Sequence, residues 1–286
     1  MAVRLALAIR RRGLGRFIRR NPTICLGLLV IGVMLLATFT APLYAGDPLA
    51  MDPSRRLEGP SAALWFGTDH LGRDVFARTV YGARISLLVG FSVAVLAVAG
   101  GLTIGLIAGY MRRLDGVIMR VMDGLMSIPS ILLAIAFVSL THGGVEVVVI
   151  AIVIPEMPRA VRLVRAVVLS AREQPYVEAA LSGGARTRKI LWRHILPSTI
   201  APLIVQATYV CASAILTEAG LTFLGAGIPP EIPTWGNMIA LSRLYIGVAP
   251  WTIFCPGVCL ALVVLAVNLL GDGLRDWLDP RFARRM

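Results

Sequence analysis

Residues 85–111 read ISLLVGFSVAVLAVAGGLTIGLIAGYM, a stretch without a single Asp, Glu, Lys or Arg. About 20 apolar residues in an α-helix cross the roughly 30 Å of hydrocarbon in a bilayer. A helix satisfies its own backbone hydrogen bonds in lipid, and a continuous apolar run excludes the alternating pattern of a barrel strand. The stretch therefore predicts a transmembrane helix and places the chain among membrane proteins.

Five further segments predict transmembrane helices. Three are free of charge: Asn21–Asp47 less its ends, His194–Thr217 and Leu244–Gly271. Two are weaker: Gly124–Thr141, which is short, and Val145 to about Val168, which begins apolar but then carries Glu156, Arg159, Arg162 and Arg165. With 57% hydrophobic and 15% charged residues, against about a quarter charged in soluble domains, the chain is predicted to be an all-α membrane protein with six spans.

The Lys and Arg residues decide the predicted orientation, because cytoplasmic segments carry the excess of positive charge. With both termini in the cytoplasm, 22 of the 28 basic residues lie inside: seven before the first span, three between spans two and three, eight in residues 159–193 and four at the C-terminus. The net charge of +12 is mostly this bias. No basic patch is interleaved with stacking aromatics, so nucleic-acid binding is disfavoured.

The predicted organisation has four parts. Residues 1–22 form an Arg-rich cytoplasmic segment, 23–84 the first span with an extracytoplasmic loop, 85–271 a five-helix core and 272–286 a cytoplasmic tail. The core includes a cytoplasmic loop at 172–197 and an outer Gly/Pro segment at 218–243. The first apolar run exceeds the roughly 7–15 residues of a signal-peptide core and no clear cleavage site follows, so we expect a retained anchor rather than a cleaved signal.

The outer segment before residue 84 predicts an amphipathic helix lying on the membrane surface. A turn at Gly67–Asp69 precedes apolar residues four positions apart and an i, i+4 charged pair, namely Leu71, Val75 and Thr79 with Asp74 and Arg78. A metal site is a weak alternative in two places. The first would use Asp69, His70 and Asp74, and the second Cys255 and Cys259, which are four residues apart but have no His or carboxylate beside them. All four cysteines are typical of small apolar packing residues within spans: Cys25, Cys211, Cys255 and Cys259.

Small residues recur at every fourth position of the span at 85–111: Ala97, Gly101, Gly105 and Gly109. Helices associate in lipid through close packing, so this face predicts contact with another helix, either in the same chain or in another subunit.

Two segments leave alternatives open. Glu156 is an acid at membrane depth, which suits either a proton or cation site or an ion pair with Arg159 near the inner interface. Residues 218–235 read EAGLTFLGAGIPPEIPTW and are too broken by Gly and Pro for an ordinary span. They predict either a short helix dipping against a translocation path or a plain outer loop.

The segment Arg172–Pro197, predicted to be cytoplasmic, reads REQPYVEAALSGGARTRKILWRHILP. Its apolar residues recur at helical spacing, which is not typical of a linker. An apolar stripe (Tyr176, Val177, Ala180 and Leu181) predicts a helix that ends at Gly183-Gly184, since glycine readily adopts the positive φ of a C-cap. A second helix is predicted from near Thr187 to a stop at Pro197. This two-helix elbow suits either a docking surface or a cover for the underside of the bundle.

The elbow resembles the EAA loop of permeases in ATP-binding-cassette importers. The matching residues are Glu178, Ala179, Ala180, Gly184, Leu196 and Pro197, while His194 stands where that family usually has isoleucine. The resemblance implies a type I importer fold in which these residues form coupling helices seated in a groove of the ATPase subunit.

Three other stretches resemble the dipeptide/oligopeptide/nickel permeases, and specifically their "C"-type subunit: residues 67–74 with 82–87, residues 221–236, and residues 268–281. This implies a homologous "B"-type permease, two ATPase subunits, an extracytoplasmic binding protein and a bacterial inner membrane. The chain has no G-x-x-x-x-G-K-[ST] phosphate loop, so ATP and Mg are expected on the partner ATPase and no cofactor here.

Two rival functions are disfavoured by the sequence. An ion-coupled carrier would need a membrane-centred charged site, for which only Glu156 is a candidate, and usually internal repeats. A membrane enzyme would need converging catalytic groups, whereas the three histidines lie far apart. Which peptide or other solute is carried does not follow from the residues, and in the resembled family that choice lies chiefly with the binding protein.

Overall fold

The structure, a computed structural model, describes residues 21–140 and 144–278. These ranges contain no β-strand and ten α-helices: α1 Pro22–Tyr44, α2 Val75–Tyr110, α3 Arg112–Ser127, α4 Ser130–Ser139, α5 Val145–Arg172, α6 Pro175–Ser182, α7 Thr187–Ile190, α8 Leu196–Phe223, α9 Trp235–Ser242 and α10 Trp251–Leu278. A π-helical turn, Leu191–Ile195, joins α7 to α8. The predicted Arg-rich segment up to residue 20, Thr141 and the tail from residue 279 lie outside the described residues.

Within residues 21–140 and 144–278, four helical stretches are long and apolar enough to cross a membrane: α1, α2, the run Thr187–Phe223, and α10. The pair α3 and α4, bent by 87° at their junction, has the length and composition of a fifth span if the two helices are taken together. Helix α5 has 28 residues and is long enough to cross a membrane, but the charges in its second half make it too polar to count among these apolar helices. The all-α membrane fold is confirmed, and five of the six predicted spans have an apolar helix or helix pair.

The third span is not the straight helix predicted over Gly124–Thr141. Helix α3 ends at Ser127, and α4 starts only after Pro129. A residue before proline is pushed out of the helical region, and Ile128 accordingly has the extended angles φ −93° and ψ 130°. The prediction of a single helix is therefore wrong because the proline at position 129 divides it.

The separate amphipathic helix predicted on the outer surface is also wrong. The chain enters α2 directly at Val75, and α2 continues for 36 residues as a span. Asp74 caps this helix, its Oδ1 accepting the Phe76 N–H at 2.8 Å. Because the cap occupies Asp74, Arg78 turns instead toward Asp69 and donates to the Pro48 carbonyl at 3.2 Å.

The described residues form three buried clusters, two of which involve both α5 and α8, the helices next to the elbow. One cluster is built mainly from α2, α4, α5 and α8, and includes Val93, Ile152 and Val210. A second joins the C-terminal half of α5 to the elbow and the start of α8: Val164, Val168, Ala171, Val177, Ile190, Ile195 and Leu203. The elbow is therefore packed onto the bundle through its own apolar residues.

Candidate coupling surface and membrane core

Helix α6 ends in a Schellman motif built on Gly184. The N–H of Ala185 donates to the Ala180 carbonyl at 3.0 Å, and the N–H of Gly184 donates to the Leu181 carbonyl at 2.9 Å. Gly184 has φ +74°, while Gly183 keeps an ordinary φ of −77°. The predicted glycine stop is confirmed, and the left-handed residue is the second glycine of the pair.

The second half of the elbow does not stop at Pro197, as the sequence predicted. The π-helical turn widens the helix, and the Leu196 N–H bonds to the Leu191 carbonyl five residues earlier. Pro197 then occupies the first turn of α8, where a missing N–H is tolerated. Leu196 and Pro197 thus begin the next span instead of ending the elbow, and helix continues from Thr187 to Phe223.

The elbow has one face buried against the bundle, as the interpretation of a cover for its underside predicted, and one exposed face. Val177, Ile190 and Ile195 are fully buried against the bundle. Glu178 and Ala179 are exposed and Ala180 is half-buried, next to two large apolar residues that are about half-exposed, Tyr176 (47%) and Leu181 (48%).

A basic groove lies beside these residues on the second half of the elbow. It is lined by Arg186, Arg188, Lys189 and Trp192, and the Trp192 side chain is 66% exposed. Across the elbow, the Tyr176 and His194 rings lie 6.4 Å apart, which brings α6 against the π-helical turn. The two halves therefore present one composite surface that is apolar, basic and accessible.

The small-residue face of α2 packs on α5 of the same chain. A Cβ placed on Gly101 would lie 2.3 Å from the Ala160 Cβ, and one on Gly105 would lie 2.6 Å from the Val164 Cβ. Gly109 meets Val168 in the same way at 2.7 Å, and Ala97 is completely buried. The two backbones approach so closely that these three glycine positions leave no room for a side chain.

Glu156 forms the ion pair that the sequence offered as one of two interpretations. Its Oε2 lies 3.0 Å from Arg159 Nη1, and its Oε1 accepts the Ser213 hydroxyl at 3.0 Å. Only 3% of the Glu156 side chain is exposed, whereas Arg159 is 40% exposed and extends toward the Tyr209 ring. The carboxylate thus links α5 to α8 and has a paired charge.

In the outer Gly/Pro segment, the predicted short helix does not lie within residues 218–235: the end of α8 is followed by irregular chain, and α9 starts only at Trp235. The irregular chain is partly exposed, at Leu224, Pro230 and Glu231. The first six residues of the segment still belong to α8, which ends in a second Schellman motif at Gly225, φ +83°. Asn237 holds the irregular stretch, its Nδ2 lying within 3.1 Å of the carbonyls of Ile228, Pro229 and Ile232. Trp235, also buried, donates from Nε1 to the Thr79 carbonyl at 3.0 Å. Asn237 thus satisfies three carbonyls of the irregular stretch, and Trp235 ties α9 to α2.

Glu218 is a buried carboxyl that the sequence interpretation passed over as the start of the outer segment. It is fully buried in α8, and it accepts hydrogen bonds from the Ser86 hydroxyl of α2 at 3.3 Å and from the Thr222 hydroxyl at 3.1 Å. No ion pair among residues 21–140 and 144–278 involves it. The available signal was its position four residues before Thr222 in an otherwise uncharged helix.

The oxygen atoms proposed as alternative metal ligands in the outer segment have other partners. Asp69 Oδ1 accepts the N–H groups of Leu71 and Arg73, and Oδ2 lies 2.7 Å from Arg73 Nε. Asp74 caps α2. The His70 ring stacks on the Tyr245 ring, with centroids 5.3 Å apart.

Acidification is expected to destabilise the outer segment through His70. Burial lowers the pKa of His70 below its ordinary value; Asp69 opposes this, and Arg73, Arg56 and Arg78 add to it. The unfolded chain therefore binds more protons between the lowered pKa and about 6.5, so stability falls as the pH drops through that window. We expect the melting temperature to fall less between pH 7.5 and 5.5 in His70→Gln than in wild type. An equal fall in both proteins would contradict this.

Comparison with known proteins identifies the class. Residues 101–284 match the family described as binding-protein-dependent transport system inner membrane component. The chain belongs to this family, and it is a permease subunit of an ATP-binding-cassette importer, as the EAA resemblance predicted.

Individual relatives cover nearly the whole chain. A probable peptide ABC transporter permease of Sinorhizobium fredii is 64% identical over 94% of this chain and 93% of its own length. A dipeptide transport system permease of Alkalihalophilus pseudofirmus is 47% identical over 92% and 88%. A glutathione transport system permease of Pectobacterium atrosepticum is 41% identical over 93% and 89%. The fold is that of a chain in the inward-facing MetNI methionine ABC transporter, with a TM-score of 0.57, 21% identity and coverage of 68% and 93%.

Proposed function

We propose that this chain is the "C"-type half of a peptide importer, carrying di- or oligopeptides inward through a path shared with a homologous "B"-type permease. The main support is the identity of 64% to a peptide permease and 47% to a dipeptide permease over almost the full length. An extracytoplasmic binding protein delivers the cargo, in keeping with the binding-protein-dependent family.

The ATPase acts on this chain through the elbow, with both termini and the elbow on the cytoplasmic side of the inner membrane. The observation that carries this proposal is the two-faced elbow: Val177, Ile190 and Ile195 are buried in the bundle while Glu178 and Ala179 are exposed. A force applied to the exposed face is therefore passed to α5 and α8. ATP and Mg reside on the partner ATPase subunits, and ATP shifts the equilibrium by contacting the elbow differently in two conformations.

Charge reversal at the elbow tests this assignment. We expect Glu178→Lys to weaken co-purification of the ATPase at least about tenfold, equivalent to about 1.4 kcal/mol, with normal insertion of the permease. The control is Glu231→Lys, the same change at an exposed acid of the outer Gly/Pro segment. Equal ATPase recovery from both variants would remove the elbow from the docking surface.

Cargo is tested separately with the matching binding protein. The reconstituted transporter should take up a labelled dipeptide or short oligopeptide only in the presence of ATP and that binding protein. Uptake of a non-peptide solute alone would overturn the peptide assignment and leave the permease assignment intact.

Replacing the buried acid of α5 distinguishes this importer from an ion-coupled carrier. Glu156→Gln keeps an acceptor for Ser213 but removes the charge, so we expect ATP-driven uptake within about threefold of wild type. Glu156→Leu removes the acceptor as well and is expected to lower the yield of folded protein. Abolished uptake in a well-folded Glu156→Gln protein would favour the carrier.

A further inference from the structure

Three charged side chains are buried together where the outer segment meets α2. Arg73 Nε lies 2.7 Å from Asp69 Oδ2, and Arg78 Nε lies 3.9 Å from the same oxygen. The exposed fraction of the side chain is 8% for Asp69, 4% for Arg73 and 1% for Arg78. Two guanidinium groups that stay charged thus share one carboxylate, which leaves one positive charge uncompensated in a buried place.

Each of the two arginines also has an unused donor. Nη2 of Arg73 and Nη2 of Arg78 are buried and have no hydrogen-bond partner among the residues that the structure describes. One further donor of each arginine is hydrogen-bonded: Arg78 Nη1 to the Pro48 carbonyl and Arg73 Nε to Asp69. Buried donors are nearly always satisfied, and an unsatisfied charged one is especially costly.

Both arginines line the same small cavity, enclosed between the outer segment, α2, α9 and α10. Its volume is about 10 Å³, which is room for a single water-sized occupant. Two hydroxyl residues, Ser242 of α9 and Thr252 of α10, belong to the polar part of the wall. The Asp69 carboxylate also lines the cavity, and the rest of the wall is apolar, so two guanidinium groups face one carboxylate inside it.

We propose that this cavity binds one monatomic, monovalent anion of the size of chloride, held by Nη2 of Arg73 and Nη2 of Arg78. A water molecule would accept from both donors but would leave the net positive charge unbalanced, whereas a halide meets both requirements. Phosphate, sulfate and carboxylates are too large for the cavity. Asp69, which also lines the cavity, is already counted in this charge balance, and the two guanidinium groups still leave one positive charge for the anion.

The anion joins four parts of the outer face, and its binding should therefore be seen as stability. In the assembled transporter, the melting temperature is expected to rise saturably by a few degrees in sodium chloride or bromide. Sodium gluconate at equal ionic strength should have no such effect, because gluconate does not fit. Arg55→Gln, which breaks the exposed Arg55–Glu58 pair of the same segment, should keep the full halide response.

Bromide gives a direct test that needs no variant. Crystals of the transporter grown in about 0.1 M sodium bromide should show an anomalous peak in contact with both Nη2 atoms. A cavity that contains only water, or a peak that appears only at molar bromide, would overturn the proposal. So would equal melting temperatures in chloride and gluconate.

Discussion

Gly101→Ala is expected to remove most of the stable, folded permease, whereas Gly100→Ala leaves it nearly unchanged. The added methyl group of Gly101→Ala would lie 2.3 Å from the Ala160 Cβ and 3.1 Å from the Ala160 carbonyl carbon, which cannot move without separating α2 from α5. At Gly100 the nearest atom is the Met157 Cε at 2.9 Å, the end of a flexible side chain. Overpacking of this kind costs about 1–3 kcal/mol, and the α2–α5 seam offers no easy relaxation.

The yield of monodisperse protein and its melting temperature would measure this difference. Ala160→Gly in the Gly101→Ala background should restore part of the loss, because it removes the atom in closest conflict. Similar yields for the two alanine variants would mean that α2 and α5 pack less closely than the short distances at these glycines indicate.

Gly184→Val is expected to reduce transport by about tenfold or more while the permease still inserts at normal levels. Gly184 has φ +74°, a conformation that costs an L-residue about 1–2 kcal/mol and a β-branched residue more. A Cβ at this position meets no atom within 4 Å, so the strain comes from the backbone alone and does not disturb the bundle. Its effect is confined to the angle between the two halves of the elbow.

Asparagine provides the matched control, because it tolerates the left-handed conformation far better than valine. Gly184→Asn should keep most of the uptake and ATPase association, and the ratio of ATP hydrolysed to cargo moved should change only in Gly184→Val. If both variants transported equally well, the shape of the elbow would not matter for coupling.

The apolar runs predicted the spans well because the cost of charge in lipid dominates every local preference. The run at 85–111 lies within α2 except for its last residue, and the run at 244–271 falls largely within α10. The end of α6 at the glycine pair was also predictable, since glycine is the usual residue in the left-handed position that follows a helix. These features depend on one residue and its near neighbours in sequence.

The missed features depend on partners far away in the chain. The spacing of Arg78 and Asp74 predicted that they form a pair, but Arg78 contacts Asp69 and the Pro48 carbonyl instead. These contacts allow α2 to begin before the apolar run. Pro197 looked like a helix stop, yet the π-helical turn before it carries the helix onward. The position of Glu218 four residues before Thr222 shows only one of its hydrogen bonds, because Ser86, 132 residues earlier, supplies another.

The helical run from Thr187 to Phe223 has 37 residues, which corresponds to a length of about 55 Å, well beyond the roughly 30 Å of hydrocarbon. One end is the elbow and the other meets the irregular stretch that Asn237 holds. Such a run behaves as a lever arm. A tilt of about 5° at one end displaces the other by about 5 Å without breaking a backbone hydrogen bond. Under the proposed coupling, a push on the elbow would therefore reach the opposite end of this run as a sideways movement.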